Sequence, residues 1–371
     1  MGLVRVLLLA DTHLGFDLTF RPRIERRRRG PEFFANFQRA LRPALDGRVD
    51  CVVHGGDLLY RSRVPAKLVD MAFEPLKKVA DRGIPIYLVP GNHERSAIPY
   101  RHLGAHPQIH IFDRPRTFLL KRDNFTLALA GFPFVRRGVR HNFLNLIDQT
   151  GYHTVDADIY LLCIHQAVEG ATVGPVGYMF RHSPDVIHGF GIPARFSAVL
   201  AGHIHRFQVL SRGLNSRLLP VPVFYAGSIE RTSFAEKNEN KGYLVLEFEL
   251  GASPEAILKQ WQFHRLPVRP MIQLNLHATK MNDEQLRSWI EAQLRPLPED
   301  SIVKLRIHGS VSQKAMQVLS AAALRALAPT TMNIDAFFIE ARRPQTWQRR
   351  KKQRFPMKPK DAADPIDRDP E

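Results

Sequence analysis

The chain has almost no cysteine: two residues, Cys51 and Cys163, among 371. Each lies in an apolar, strand-like run, with no Cys-x-x-Cys pair anywhere. That excludes a disulfide framework and a cysteine zinc site, and predicts two small buried hydrophobes in a reducing compartment. Long hydrophobic runs are also missing. No stretch approaches the roughly 18 apolar residues of a membrane span. The apolar segment Val4 to Ala10 has no cleavage site and leads straight into Asp11-Thr12-His13, so it is expected to be a first strand, not a signal sequence, in a cytoplasmic protein. Acidic residues are in short supply too: 36 Asp+Glu stand against 53 Lys+Arg, a net charge of +17. Such an excess points to polyanionic partners, nucleic acid first and acidic membrane surfaces second. A basic character serving only solubility is the plainer alternative.

What is present is an ordinary globular composition, 44% hydrophobic and 24% charged. The length suits roughly two to three domains of about 100–200 residues. Apolar runs alternate with helix-period segments over the first ninety residues. Leu3 to Ala10 reads as a strand. Gly30-Pro31 opens a helix with Phe33, Phe37, Leu41 and Leu45 on one face, and Val49 to Val53 forms the next strand. Pro65 starts a second helix along Leu68, Ala72, Leu76 and Val79, and Ile84 to Val89 is a third strand. This alternation predicts an α/β layered domain. Further strands are expected at Ile159 to Ile164 and Ala198 to Leu200, separated by a Gly-containing loop from Glu169 to Gly191. Prolines between Leu266 and Pro270 mark a boundary. A βαβαβ unit follows, with Asn282 and Gln285 as a capping box and Ser312 capping one helix through Met316, Leu319 and Ala323. The expected units are residues 1–266, 271–341 and a tail, 342–371. The tail carries nine Lys/Arg up to Lys360 and then five acids. It reads as disordered, either simply solvated or a nucleic-acid contact.

The chemistry gathers where strands end. Asp11 and His13, Asp57, Asn92 and His93, His165, and His203 and His205 each follow an apolar run that breaks into a short or Gly-containing turn. Open α/β sheets bind ligands at the carboxyl ends of their strands. One Asp-x-His or Gly-Asn-His is weak evidence, and a lone histidine among the sixteen is usually structural. Five such segments in one chain form a ligand set. Mixed imidazole and carboxylate donors suit manganese, iron or zinc better than magnesium or calcium. A carboxylate such as Asp57 can bridge two ions about 3.5–4 Å apart, the spacing used for in-line displacement at phosphorus.

The motifs Asp11-Thr12-His13-Leu14-Gly15, Gly56-Asp57-Leu58-Leu59, Pro90-Gly91-Asn92-His93, His165-Gln166 and Gly202-His203-Ile204-His205 resemble the calcineurin-like metallophosphoesterase superfamily. Gly227-Ser228-Ile229-Glu230-Arg231-Thr232-Ser233, with Glu236 and Lys241-Gly242, narrows the resemblance to the SbcD/Mre11 nuclease branch. The resemblance covers residues 1 to about 265 and implies a four-layer α/β/β/α sandwich. The following unit is similar in position and size to that branch's α+β capping, DNA-binding domain. It also implies roles. Asp11, His13, Asp57 and His205 would hold one metal, and Asp57, Asn92, His165 and His203 the other, most simply two Mn2+. A hydroxide bridging them would be the nucleophile, and His93 would protonate the leaving oxygen. Two departures from the branch are Tyr60, where a histidine is usual, and Glu94, where an aspartate is usual. Tyr60 and Arg206 are candidate substrate contacts. The expected function is a DNA exonuclease acting in repair; a small-molecule phosphodiesterase or phosphatase on the same site is the alternative. The expected partner is DNA. A two-fold homodimer fits the branch, whereas no helix pair that would dock an SbcC/Rad50-like ATPase is visible in the tail.

Overall fold

The computed structural model describes residues 2–18, 27–94, 105–251 and 258–339. Strand β1 (Leu3–Leu9) is apolar at every position but Arg5, as a strand covered on both faces must be. It lies inside a six-stranded sheet, pairing parallel with β2 (Cys51–His54) and antiparallel with β13 (Gly242–Glu249). β3 (Ile86–Leu88) and β4 (Ile109–Ile111) extend this sheet on one side and β14 (Leu258–Arg265) closes the other. A second six-stranded sheet runs β11-β12-β10-β7-β6-β5. These strands are β5 (Arg116–Arg122), β6 (Phe125–Gly131), β7 (Ile159–His165), β10 (Ala198–Gly202), β11 (Gln208–Arg212) and β12 (Leu218–Tyr225). Its inner members β6, β7, β10 and β12 are mutually parallel.

The side-chain period of two sorts these strands into layers. Leu7, Leu9 and Val52 face helices α1 (Gly30–Leu45) and α2 (Ala66–Ala80), meeting Phe33, Phe37, Leu41 and Leu76. Their neighbours Val6, Leu8, Cys51 and Val53 face the other way and pack against Leu127, Leu129, Leu161, Cys163 and Phe224 of the second sheet. Leu162, Ile164 and Val199, on that sheet's outer face, are covered by Val139, Phe143 and Ile147 of α3 (Val139–Gln149). The order of layers is therefore α/β/β/α. Both cysteines are free and buried, within the cluster between the sheets. The loop from Glu169 contains a small hairpin, β8 (Thr172–Val173) with β9 (Tyr178–Met179). Among the described residues no helix is long and apolar enough to cross a membrane.

Beyond Pro270 comes an all-parallel sheet of β15 (Met271–His277), β16 (Ile302–His308) and β17 (Asn333–Phe338). Asn282 and Gln285 form a reciprocal capping box on α4 (Asp283–Leu294). The single helix expected after Ser312 is two. Ser312 caps α5 (Gln313–Val318), and Ser320 takes the N–H of Ala323 to start α6 (Ala321–Leu327). Serine competes for backbone donors, so one in mid-pattern can restart a helix instead of continuing it. This unit has its own apolar cluster, with Leu276, Leu286, Ile290, Leu305 and Leu324. Arg269 joins it to the larger body, donating to Glu32 of α1 at 2.9 Å, to Asn333 at 2.7 Å and to the carbonyl of Thr331 at 2.7 Å.

Candidate metal centre

The two sheets meet at one rim. Gly55 donates to the carbonyl of Leu9 (2.8 Å), Asp11 to that of Gly56 (2.9 Å), His13 to that of Asp57 (3.0 Å) and Val89 to that of His54 (2.9 Å). These bonds hold together the loops after β1, β2 and β3. From the second sheet, His165 donates its Nδ1–H to the carbonyl of Gly55 at 2.7 Å, and the His203 N–H lies 3.1 Å from both carboxylate oxygens of Asp11. All five predicted strand ends thus reach one buried cluster.

The backbone there is unusual. Asp11 (φ 50°), His13 (φ 44°), Asp57 (φ 53°) and His203 (φ 86°) occupy the left-handed region, where a non-glycine residue costs on the order of 1–3 kcal/mol. Four strained ligand candidates in one place indicate geometry held for the site and not for the fold alone. Glycines make room around them. A methyl on Gly56 (φ 106°) would overlap the His165 ring, and one on Gly91 would overlap the Asp57 carboxylate. Gly91→Ala is therefore expected to lower stability by about 1–3 kcal/mol through overpacking. Thermal melting of the chelator-treated protein measures this apart from any loss of metal.

Donor atoms converge closely. Asp11, His13 and His205 place one ligand atom each within 4.8 Å of one another, as do Asp11, Asp57 and His165, and also His13, Asp57 and His93. Asn92 Oδ1 lies 3.1 Å from His165 Nε2 and 2.9 Å from His203 Nδ1. His13 Nε2 and His205 Nε2 face each other at 2.9 Å.

Is this donor set suited to cations? Its tautomers say so. Gly55 carbonyl accepts only, so His165 carries a proton on Nδ1 and presents Nε2 to the cluster. Glu236 does the same for His205, 3.3 Å from Nδ1. Outer hydrogen bonds of this kind orient metal-ligating histidines. His13 Nδ1, buried without a hydrogen-bond partner, adds an orphan donor or acceptor at the same spot. The residues fit two borderline divalent ions better than a dry polar cluster, because facing imidazole lone pairs need a proton or a cation between them.

Electrostatics agree. Burial raises the Asp11 carboxyl above its usual range. Burial would raise Asp57 as well, but the adjacent His165, through charge and hydrogen bond, holds it well below the usual carboxylate range. His165 itself is lowered by burial yet carried up to about 9 by Asp57, so the proton it shares with that carboxylate must leave before Nε2 can bind a metal. Burial drives His13 well down, and His203 down to about 3, so both are neutral and free to donate electron pairs.

His93 stands apart from these. Its side chain is about one-third exposed, with Nε2 3.8 Å from Asp57 Oδ2. Nδ1 is 2.7 Å from the carbonyl of Tyr60, and its backbone N–H donates to Asp57 Oδ1 at 2.9 Å. The carbonyl fixes the proton on Nδ1, so Nε2 is the only ring atom that can gain or lose one. Tyr60 holds its ring centroid 5.9 Å from His93 and 6.0 Å from His13. Arg206, a candidate substrate contact, bonds Glu239 (3.1 Å), Thr172 (3.3 Å) and the carbonyl of Gly174, fastening the β8–β9 hairpin.

Three residues to which the sequence assigns no role support the site. Glu94 accepts from Leu59 N–H (3.1 Å) and Gly91 N–H (2.8 Å), tying the Asp57 loop to the Asn92 loop; its extra methylene relative to aspartate provides the reach. Glu236 orients His205 and pairs at 2.6 Å with the fully buried Lys241, which also donates to the His205 carbonyl at 2.8 Å. The run from Gly227 to Lys241 carried a sequence signal but no role; its role is to brace His205. His54, by contrast, accepts the Gly56 N–H on Nδ1 and meets Thr12 Oγ1 at 3.0 Å, a structural histidine.

A family model described as calcineurin-like phosphoesterase matches residues 4–207, the span that holds every candidate ligand. The chain is 25% identical to the DNA double-strand break repair protein Mre11 of Methanocaldococcus jannaschii over 249 residues, 65% of this chain and 61% of that one. It is 30% identical to the Mre11 protein of Haloferax volcanii over 259 residues, 69% of this chain and 51% of that one. With the Mre11 protein of Thermoplasma acidophilum it shares 25% over 330 residues, covering 83% and 77%. The chain thus spans between half and about three-fifths of the first two of these relatives.

Proposed function

The chain belongs to the calcineurin-like phosphoesterase family of metal-dependent hydrolases, and on that premise we propose that it is a two-metal phosphodiesterase acting on DNA, an exonuclease of the SbcD/Mre11 kind that works in repair. The observation that carries this reading is the convergence of five strand ends on Asp57, with tautomers preset for ligation. Asp11, His13, Asp57 and His205 would hold one ion, and Asp57, Asn92, His165 and His203 the other, with manganese the best match to this donor set. When bound, the two ions supply Lewis acidity, neutralising charge on phosphate oxygens and acidifying a water.

The chain's own residues do the rest. His93, fixed through Nδ1 by the Tyr60 carbonyl, would pass a proton from Nε2 to the leaving oxygen. Because Tyr60 acts on His93 through its main chain, the tyrosine side chain is free to donate its O–H to a phosphate oxygen. Residues 271–341 would act as the cap on the DNA side, joined through Arg269. Of the basic segment Arg21 to Arg29, Arg21, Arg23 and Arg26 lie outside the described residues, as does the tail from 342; segment and tail would both add phosphate contacts.

The net charge of +17 sets a further expectation. If about six phosphates are neutralised, affinity for a DNA duplex should fall about 10³-fold between roughly 50 and 200 mM salt. Fluorescence anisotropy across a salt series reads this directly; a flat response would remove DNA as the partner. Hydrolysis of duplexes with recessed ends, run beside a nitrophenyl phosphodiester with manganese added, tests the activity. Turnover of the small diester alone would favour a small-molecule phosphodiesterase.

A further inference from the structure

Arg231, in the Gly227–Lys241 segment that braces His205, makes its side-chain hydrogen bonds away from the candidate ligands. Its main chain is held independently of them. The Arg231 N–H donates to Glu230 Oε1 at 2.8 Å, and its carbonyl accepts from the buried Arg29 at 2.7 Å. The guanidinium is therefore available to serve other segments, and it holds two. Nε and one Nη clasp the carbonyl of Glu239 at 3.2 and 2.9 Å, while the other Nη donates to the carbonyl of Arg269 at 3.0 Å. A planar fork with several fixed donors suits this set of bonds, and a lysine ammonium does not.

On one side of Arg231 is the brace. The Glu239 N–H donates to the Glu236 carbonyl at 2.8 Å, so the two glutamates share one turn. Lys241 lies between their carboxylates, 2.6 Å from Glu236 and 3.0 Å from Glu239, and its third donor meets the His205 carbonyl. An ammonium has three donors, and all three are used. On the other side is the unit from 271 onward. The Arg269 side chain reaches Asn333 and Thr331 there. Lys304 of β16 makes a second link, its Nζ 5.6 Å from the Phe234 ring of the brace and 4.6 Å from the Phe337 ring of β17. A connected set of hydrogen bonds thus runs from this cap unit to the imidazole of a ligand, with Arg231 in its middle.

We propose that Arg231 is a positioning residue for one ion of the pair: it sets the Glu236–Glu239 turn against the cap junction, and so fixes the His205 ring that the turn orients. The proposal rests on the two-metal reading and deepens it, because it makes the two ions unequal in their support. The ion of Asp11, His13 and His205 depends on the cap junction. On the other ion, His165 is oriented by the Gly55 carbonyl instead. Coupling between two sites is reciprocal, so an ion that settles on His205 also tightens the turn and the junction behind it.

Manganese titrations of the chelator-treated full chain, read by calorimetry, test this in wild type and Arg231→Met. One ion should bind about tenfold more weakly in the variant, the lower end of what loss of an outer partner costs, and the other as in wild type. Anomalous peak heights at limiting manganese identify the weakened ion, expected beside His205. Hydrogen exchange supplies a readout that a purely structural role would not move. The amides of Met332 and Asn333 are hydrogen-bonded within the cap; manganese should slow their exchange in wild type and leave it unchanged in Arg231→Met. Should Arg231→Met melt below the assay temperature, Arg231→Lys, which keeps the charge and loses the fork, takes its place, with its loss at the same ion. Wild-type affinity for both ions, equal weakening of both, a loss at the ion beside His203, or slowing of exchange that survives in the variant would overturn the role. Fewer than two ions in wild type removes the two-metal reading and the proposal with it; two ions in wild type without a selective loss in the variant sinks the proposal alone.

Discussion

Asp57→Ala is expected to reduce bound metal from two ions per chain to one or none, and to cost more activity than any other single change. Asp57 sits between the two halves of the cluster. His165 Nε2 is 3.5 Å from its Oδ2, the His93 N–H donates to its Oδ1, and the groups formed with Asp11 and with His13 both include it. Loss of an outer partner of a metal ligand typically costs about 10–100-fold in affinity or activity. Loss of a carboxylate shared by both ions should exceed that range. Asp57→Asn is the informative companion: it keeps the size and the acceptor for the His93 N–H but lowers the charge. Elemental analysis of both variants, alongside phosphodiester turnover, checks the expectation. Two firmly held ions in Asp57→Ala would show that the carboxylate is not shared.

His93→Ala carries the second large effect and separates chemistry from metal binding. Turnover on a phosphodiester should fall by roughly 10²-fold or more, the usual contribution of a positioned general acid, while two ions remain bound. The structure makes this a sharp question, because His93 Nε2 also lies close enough to His13 and Asp57 to join them around an ion. A ligand role predicts a drop in metal content; an acid role predicts unchanged metal and a smaller loss on substrates whose leaving group needs no proton. A nitrophenolate is such a group, so the ratio of rates on DNA and on a nitrophenyl diester distinguishes the roles. Unchanged turnover on both would remove His93 from the mechanism.

Much of this site was legible before any coordinates, for a physical reason. A strand buried on both faces must be apolar throughout, so its end is marked by the first polar residue, and the polar residues that follow such runs are the ligand candidates. Val6 to Ala10 followed by Asp11, and Ile159 to Ile164 followed by His165, are examples. The capping box at Asn282 and Gln285 was legible because it is a local, reciprocal pair of hydrogen bonds.

Other features could not be read, because they belong to contacts made across the fold. The left-handed backbone at Asp11, His13, Asp57 and His203 has no glycine to announce it. Glu236 and Lys241 are 31 and 36 residues from the histidine they brace. Arg206 follows the ligand pair directly, and its bonds to Glu239, Thr172 and Gly174 are likewise made across the fold.

The central claim is that five strand ends assemble one site for two ions with Asp57 between them. Anomalous diffraction from crystals soaked in manganese tests it most directly. Two peaks are expected, both within coordination distance of Asp57, one also against Asp11, His13 and His205 and the other against Asn92, His165 and His203. A single peak, or two peaks that do not share Asp57, would contradict the account.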